Sequence, residues 1–182
     1  NSQLQQTFET SELILESRYA RDELFIQSDN DRISLGTTRW PVITVRYTKG
    51  FKGIMESDFD YDKLRLSLYK RIRFGPLGVG YLDLAGEYIF GTLPYPLLGL
   101  HLGNQTVIYS PVTYNLMNYG EFGSDRYATL QYQHHFEGFL FNRIPLIRKL
   151  KWRLVGTANV IYGGLSDANK EINAPLTPEG EE

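Results

Sequence analysis

The sequence predicts an all-β chain, an antiparallel up-and-down transmembrane β-barrel present as a partial wall of about six long strands. Three observations carry that expectation: alternating apolar and polar side chains, segments too long for ordinary soluble strands, and connections that alternate between short and long.

The alternation is clearest from Asp62 to Phe74. Leu64, Leu66, Leu68, Ile72 and Phe74 fall on one side and Lys63, Arg65, Ser67, Tyr69, Arg71 and Arg73 on the other, because successive strand side chains point to opposite faces. Lys70 is the exception on the apolar side. A helix would spread these cations around its cylinder, so a two-residue period is preferred to the ~3.6 of a helix. A second long segment alternates Leu150, Trp152, Leu154, Gly156, Ala158, Val160 and Tyr162 with Lys151, Arg153, Val155, Thr157, Asn159 and Ile161. Both exceed the ~5 to 6 residues of a typical soluble strand and reach the ~9 to 11 that a tilted membrane strand needs.

Weaker versions recur. Leu13, Leu15 and Tyr19 oppose Glu12, Glu16 and Arg18; Ile43, Val45 and Tyr47 oppose Thr44, Arg46 and Thr48; Ala128, Leu130, Tyr132 and Phe136 oppose Thr129, Gln131, Gln133 and His135. From Val79 to Phe90 the faces are less clean, with Leu82 and Leu84 against Tyr81, Asp83 and Glu87. The link Gly75-Pro76-Leu77 is a short hairpin turn, whereas the next, from about Gly91 to Asp125, is long and aromatic. Short turns at one end and long loops at the other are the asymmetry of outer-membrane barrels. With Gly75 to Leu77 placed on the periplasmic side, residues 50–61, 91–125 and 163 onward fall outside, and 22–31 and 138–149 at the periplasmic end. Tyr47, Phe51, Tyr61, Tyr88, Phe90, Tyr127 and Tyr162 then sit near outer strand ends and Phe74, Phe136, Phe139 and Trp152 near inner ends, as two interfacial belts.

Composition excludes other classes. The chain has no Cys, which removes disulfide scaffolds, thiolate metal sites and a cysteine nucleophile. A net charge of -2 and a pI near 6.0 give no global basic field, so no nucleic-acid partner is expected. No stretch approaches the ~20 apolar residues of a membrane helix. The chain starts at Asn1 without a Met and ends in the loop-like Pro175 to Glu182. Residues 1–182 are therefore expected to be part of one barrel domain, a fragment, because about six strands fall short of the roughly eight that the smallest single-chain barrels use.

The segments Tyr114-Asn115-Leu116-Met117-Asn118-Tyr119 and SDRYATLQYQHHFEGFLFNRIPLIRKLKW (Ser124 to Trp152) resemble a Bacteroidetes-type outer-membrane family of unknown function. VITVRYTKGFKG (Val42 to Gly53) and FGTLPYPLLGLHLGNQT (Phe90 to Thr106) resemble the same family, so the likeness covers most of the chain. Its members usually carry a carboxypeptidase-regulatory-like β-domain before the barrel. The resemblance implies a larger barrel, with that amino-terminal domain and further strands outside this segment, and it brings no catalytic residues. The pattern of aromatic strand, FxxN-type turn and strand is also similar to barrels of the surface-antigen assembly type.

Candidate sites are few. Lys63, Arg65, Arg71, Arg73, Lys151 and Arg153 are expected to face the lumen, either as an anion-attracting interior or docking surface for an acidic plug, or as a solvated, salt-bridged wall. The wall is preferred, since Asp83 and Glu87 fall on a neighbouring strand. His134, His135 and Glu137 are the one cluster with metal-ligand chemistry; adjacent residues face apart, only His135 and Glu137 share a face, and no third ligand is visible, so no metal is expected. Asn142 to Lys149 reads equally as an amphipathic interfacial segment or a polar turn. Asn104-Gln105-Thr106 matches a glycosylation sequon that carries no weight in a bacterial barrel. Phosphate loops, a GxSxG elbow and recognisable catalytic carboxylates are absent from the sequence, so neither an enzyme nor a cofactor is expected.

The expected function is an integral component of the cell outer membrane, structural, transport or envelope-biogenesis in role. Its expected partners are outer-membrane lipid, missing strands from the same or another chain, and other outer-membrane subunits. The alternative is a soluble all-β ligand-binding module, a lipocalin-like barrel or sandwich using the loop from Gly91 to Asp125. One feature separates them: cations inside mean membrane, leucines inside mean soluble.

Overall fold

A computed structural model of the chain describes residues 8–173 except 30, 38, 105–109, 111–112, 119–121 and 140, and leaves undescribed the side chains of 28, 142 and 146–148. Residues 105 and 106 of the sequon and the tail from 174 lie outside the described residues. The strands are β1 (Glu12–Ala20), β2 (Glu23–Ser28), β3 (Asp31–Thr37), β4 (Val42–Gly50), β5 (Tyr61–Arg73), β6 (Val79–Phe90), β7 (Gly99–Leu100), β8 (Gly123–Ser124), β9 (Arg126–His135) and β10 (Val155–Gly164). Two short helices, α1 (Pro145–Leu150) and α2 (Asp167–Asn173), follow β9 and β10. No described helix is long and apolar enough to cross a membrane.

Six strands make one antiparallel sheet in the order β1-β4-β5-β6-β9-β10. Apart from the inserted β2–β3 and β7–β8 pairs, this is up-and-down order, because each main strand returns beside its predecessor. Among the described residues β1 and β10 remain edges, so the sheet does not close. The strands run from 9 to 13 residues.

Register decides what each face presents. Leu15 opposes Tyr47, which opposes Leu64, which opposes Tyr88. Two residues along, Val45, Leu66, Gly86, Ala128 and Tyr162 are matched in turn across β4 to β10, and Ile43, Leu68, Leu84, Leu130 and Val160 form the next row. Directly paired residues project to the same side, so these rows build one continuous apolar face. The opposite face carries Glu16, Arg46, Arg65 and Glu87 in one row and Tyr69, Asp83, Gln131 and Asn159 in another. The less regular Val79 to Phe90 segment obeys the same parity, with Leu82 and Leu84 on the apolar side and Tyr81, Asp83 and Glu87 on the polar one.

Burial is inverted relative to a soluble sheet, whose apolar side packs on a core. Leu15, Leu66 and Val160 on the apolar face are 60%, 53% and 57% exposed. Along β9, Ala128 and Leu130 are exposed while Tyr127, Thr129 and Gln131 beside them are half-buried. The buried cluster of Tyr61, Ile89, Leu93 and Leu98 lies at one end of the polar side, joined by Phe59, Tyr95, Leu97 and Leu165.

Three expectations need correction. The last long strand begins at Val155 and not near Leu150. Pro145 suits a helix's first turn, α1 runs to Leu150, and Lys151 takes a left-handed turn at φ 54°, so Lys151 and Arg153 precede the sheet. Residues 22–31 are not a plain loop: β2 and β3 pair as a hairpin, with a register shift between Glu23 and Phe25, inserted between β1 and β4. Tyr61 and Tyr127 do not belong to an aromatic belt, because strand parity puts them on the polar side. Tyr61 is 1% exposed and Tyr127 packs edge-on to His101.

Gly50 faces Tyr61 across β4 and β5, and a Cβ there would lie 2.4 Å from the ring. The ring fills the space the missing side chain leaves, and its hydroxyl bonds Glu12 of β1. Gly50→Ala is expected to displace Tyr61 and cost about 1–3 kcal/mol, read as a lowered urea midpoint, whereas Gly86→Ala, whose Cβ would meet its nearest neighbour at 3.6 Å, serves as control. Equal midpoints for the two variants would show that the ring is not held there.

Candidate functional site

The candidate site is the polar face of the sheet together with the loop from Gly91 to Asp125 that lies on it. The central row places two cations between two carboxylates: Arg46 meets Glu16 at 2.5 Å, and Arg65 lies 3.8 Å from Glu87 and 3.5 Å from the Tyr127 hydroxyl. Arg46 and Arg65 are direct neighbours, so the flanking carboxylates offset a like-charge pair that would otherwise destabilise the ladder. Both arginines are about half exposed, and each ion pair is worth at most ~1 kcal/mol. Lys63 sits 4.9 Å from the centre of the Tyr61 ring and Arg71 6.0 Å from that of Tyr81. The Nε of Arg71 is buried without a hydrogen-bond partner. Lys63, Arg65, Arg71 and Arg73 thus share one face of β5. Lys151 and Arg153 do not join them; Arg153 pairs with Glu137.

The described parts of the long loop lie over this face from the strand ends to its middle. Its β7 pairs with β8, and Gly103 bridges Tyr114. The Asn159 amide of β10 donates to the Thr113 carbonyl at 3.1 Å. Tyr114 comes close to Thr129, Gln131 and Asp83, and burial pushes its phenol above the ordinary range against the pull of the Gln131 and Thr129 side chains. Among the described residues the loop therefore rests on the polar sides of β6, β9 and β10 and not on the apolar face.

A buried polar latch holds the loop's two ends. Asn169 of α2, 1% exposed, accepts the Leu93 N–H at 2.8 Å and donates its amide to Asp125 at 2.9 Å and to the Gly91 carbonyl at 3.2 Å. Asn173 donates to the Leu93 carbonyl at 3.0 Å, and the Ser166 N–H donates to Asp125 at 2.7 Å. Burial pushes the Asp125 carboxyl up, but the hydrogen bonds from Ser166 and Asn169 outweigh it, and the pKa settles below the ordinary value. Little in the sequence signals this latch. Residues 163 onward read as loop, and only Ser166 ahead of a short run lacking Pro and Gly signals a helix start.

His101 Nε2 lies 3.1 Å from Ser124 Oγ, and both side chains are buried. Burial lowers the His101 pKa, which favours the neutral ring. Among the described residues no carboxylate contributes to that shift, which burial alone causes. The pair joins the strands of the loop base. Glu137 is engaged by Arg153, and His134 lies on the apolar face near the β5–β6 turn, where its Nε2–H donates to the Leu77 carbonyl at 2.9 Å and Nδ1 accepts the Tyr132 hydroxyl at 2.8 Å. It stacks 4.4 Å from Phe136 and 5.3 Å from Phe74. His135, on the polar side, packs edge-on to Tyr81 at 5.3 Å, so His134, His135 and Glu137 lie in different surroundings, and the described residues hold no cluster of three metal-ligating side chains.

Residues 2–174 match the C-terminal domain of a family of unknown function, DUF5686. The chain belongs to that family. No curated protein and no solved structure matches it. The DUF5686 match agrees with the sequence resemblance at its coarser level, a β-rich domain of unknown function.

In this DUF5686 domain, Asn169→Ala leaves the Leu93 N–H and Asp125 short of partners, which costs ~1–3 kcal/mol for each buried group left unmade. Proteolysis within the loop from Gly91 to Asp125 is expected to rise about tenfold or more; unchanged cleavage would show that the latch does not hold it. Acid acts in the same direction. The folded pKa values of His101 and Asp125 are both depressed, so their contributions are complete above the unfolded values, ~6.5 and ~3.9, and are lost as pH falls through the folded ones. Loop cleavage by an acid-tolerant protease is expected to increase below about pH 6.5 and again below about pH 4, with Asp125→Asn removing the second step.

Proposed function

We propose that this domain is one wall of an outer-membrane β-barrel, with its apolar face against lipid and its polar face, loop included, toward the interior. The observation that carries the reading is the inverted burial: an apolar face spans all six main strands without a covering layer among the described residues, while packing and ion pairs gather on the polar face. Soluble monomers rarely expose apolar patches beyond a few hundred Å². A lipocalin-like barrel or sandwich would bury Leu66 and Leu130 and turn Arg65 outward, the opposite arrangement. Strands of 9 to 13 residues suit the ~9 to 11 that a tilted membrane strand needs. Tyr47, Tyr88, Phe90 and Tyr162 mark one end of the apolar face and Phe74, Tyr132 and Phe136 the other, as interfacial girdles do.

Open edges at β1 and β10 would cost several kcal/mol per unpaired backbone group in lipid, so the remaining strands come from the rest of the protein or another chain. A carboxypeptidase-regulatory-like domain ahead of the barrel belongs to the same reading, as does a structural, transport or envelope-biogenesis role in the cell outer membrane beside other outer-membrane subunits. Lys63, Arg65, Arg71 and Arg73 then face the lumen as a polar wall in which Arg65 pairs with Glu87 and Lys63 and Arg71 lie against tyrosine rings.

Because the segment has no Cys, single cysteines report each face cleanly. In outer-membrane vesicles permeable to a charged maleimide, Leu66→Cys and Val160→Cys are expected to stay unlabelled until detergent is added. Ser67→Cys is expected to label without it. Equal labelling of both faces, or recovery of the protein without detergent, would sink the reading.

A further inference from the structure

The apolar face is not uniformly filled. A groove of about 530 Å³ opens across β5, β6, β9 and β10, within the ~300–1,000 Å³ range of small-molecule sites. Its floor is set by Gly86 paired with Ala128, and Leu66 and Tyr162 stand at either side in the same row. One row toward the strand ends, Tyr88 pairs with Arg126. Where the neighbouring rows carry Leu84 and Leu130, or Tyr88 and Arg126, this row carries almost no side chain, so the dent is a property of two positions.

Arg126 gives the groove a polar end. It is exposed, lines the groove, and forms no ion pair with a carboxylate among the described residues. It lies at the same strand ends as the polar rim where Lys49 meets Asp60 at 2.8 Å and Asp62 at 3.1 Å. A guanidinium offers a planar fork of donors suited to phosphate oxygens, and the groove below it is mainly apolar, lined by Leu64, Leu66, Gly86, Ala128 and the Tyr162 ring. We propose that the groove binds a phosphate-bearing membrane lipid, with one acyl chain over Gly86 and Ala128 and the phosphate at Arg126. This rests on the barrel reading but goes beyond it, since the rest of the face needs no specific lipid. Additional strands extend a sheet at its edges, here β1 and β10, and leave its face open. A lipid is therefore the occupant the position favours over a second copy or a missing strand.

The test uses the full-length protein purified in detergent, with native mass spectrometry after adding equal amounts of dimyristoyl phosphatidic acid or dimyristoylglycerol. The phosphate-bearing lipid is expected to be retained about tenfold more, the scale of a charge-assisted hydrogen bond. Arg126→Gln should erase that preference, Ala128→Leu should lower retention of both lipids by filling the floor, and Leu15→Ala, on the same face but outside the groove, should change neither. Displacement of the lipid by inorganic phosphate alone would assign Arg126 to a free anion and overturn the lipid site. So would wild-type retention by the Arg126 and Ala128 variants, or capture of polypeptide instead of lipid by a photoreactive residue at position 128. If the protein needs detergent and shifts on heating yet shows one of these results, only the groove proposal fails; if it is soluble without detergent, the barrel reading fails with it.

Discussion

Every feature of this domain depends on one constraint: the two-residue period of six strands held in a shared register. Each pairing adds a strand whose apolar positions line up with those already present, so side chains far apart in sequence become one face. A slip of one residue at any pair would exchange the faces of everything beyond it. The Leu66, Gly86, Ala128, Tyr162 row and the Glu16, Arg46, Arg65, Glu87 row exist only because no pair slips.

The strand ends carry what the strands cannot. Backbone pairing satisfies the sheet but says nothing about a 35-residue-scale connection, which needs side chains to hold it. Asn169, Asn173 and Asp125 meet that need by satisfying backbone groups of Gly91, Leu93 and Ser166, so both ends of the loop and the helix after β10 share one buried network. The network is nearly complete: one Asp125 oxygen takes the Ser166 and Asn169 donors, and the other is buried without a partner among the described residues. The small apolar cluster of Tyr61, Ile89, Leu93 and Leu98 packs beside the same network, so polar and apolar anchors act at one end of the sheet.

The polar face joins charge to cover. Arg65 is shared between Glu87 and Tyr127, and Tyr114 and Thr113 bring the loop onto β9 and β10. Ser124 and His101 meet in a closed space and link the loop's own strands.

Much of this was legible because strand parity is a local property. The alternation in Asp62 to Phe74 and Val79 to Phe90 placed Arg65, Asp83 and Leu84 on their observed sides before any partner strand was known. Where local signals compete, the sequence was less informative. The run from Leu150 to Leu154 alternates as a strand does, yet Pro145 and the pairing of Arg153 with Glu137 place it in a helix end and a turn. The β2–β3 hairpin was hidden among polar residues because its sides are both exposed and no period stands out. Tyr61 and Tyr127 look like belt aromatics by position along their strands, but the side they face follows from parity and from what covers it.

By itself the sequence determined the six main strands to within a few residues, their two faces and the ends where long and short connections lie, because each depends on residues one or two apart. Only the tertiary structure decided that the apolar face is the bare one, that the long loop turns onto the polar side, and that Asn169, Asn173 and Asp125 converge, because each of these joins residues tens of positions apart through contacts that carry no local period.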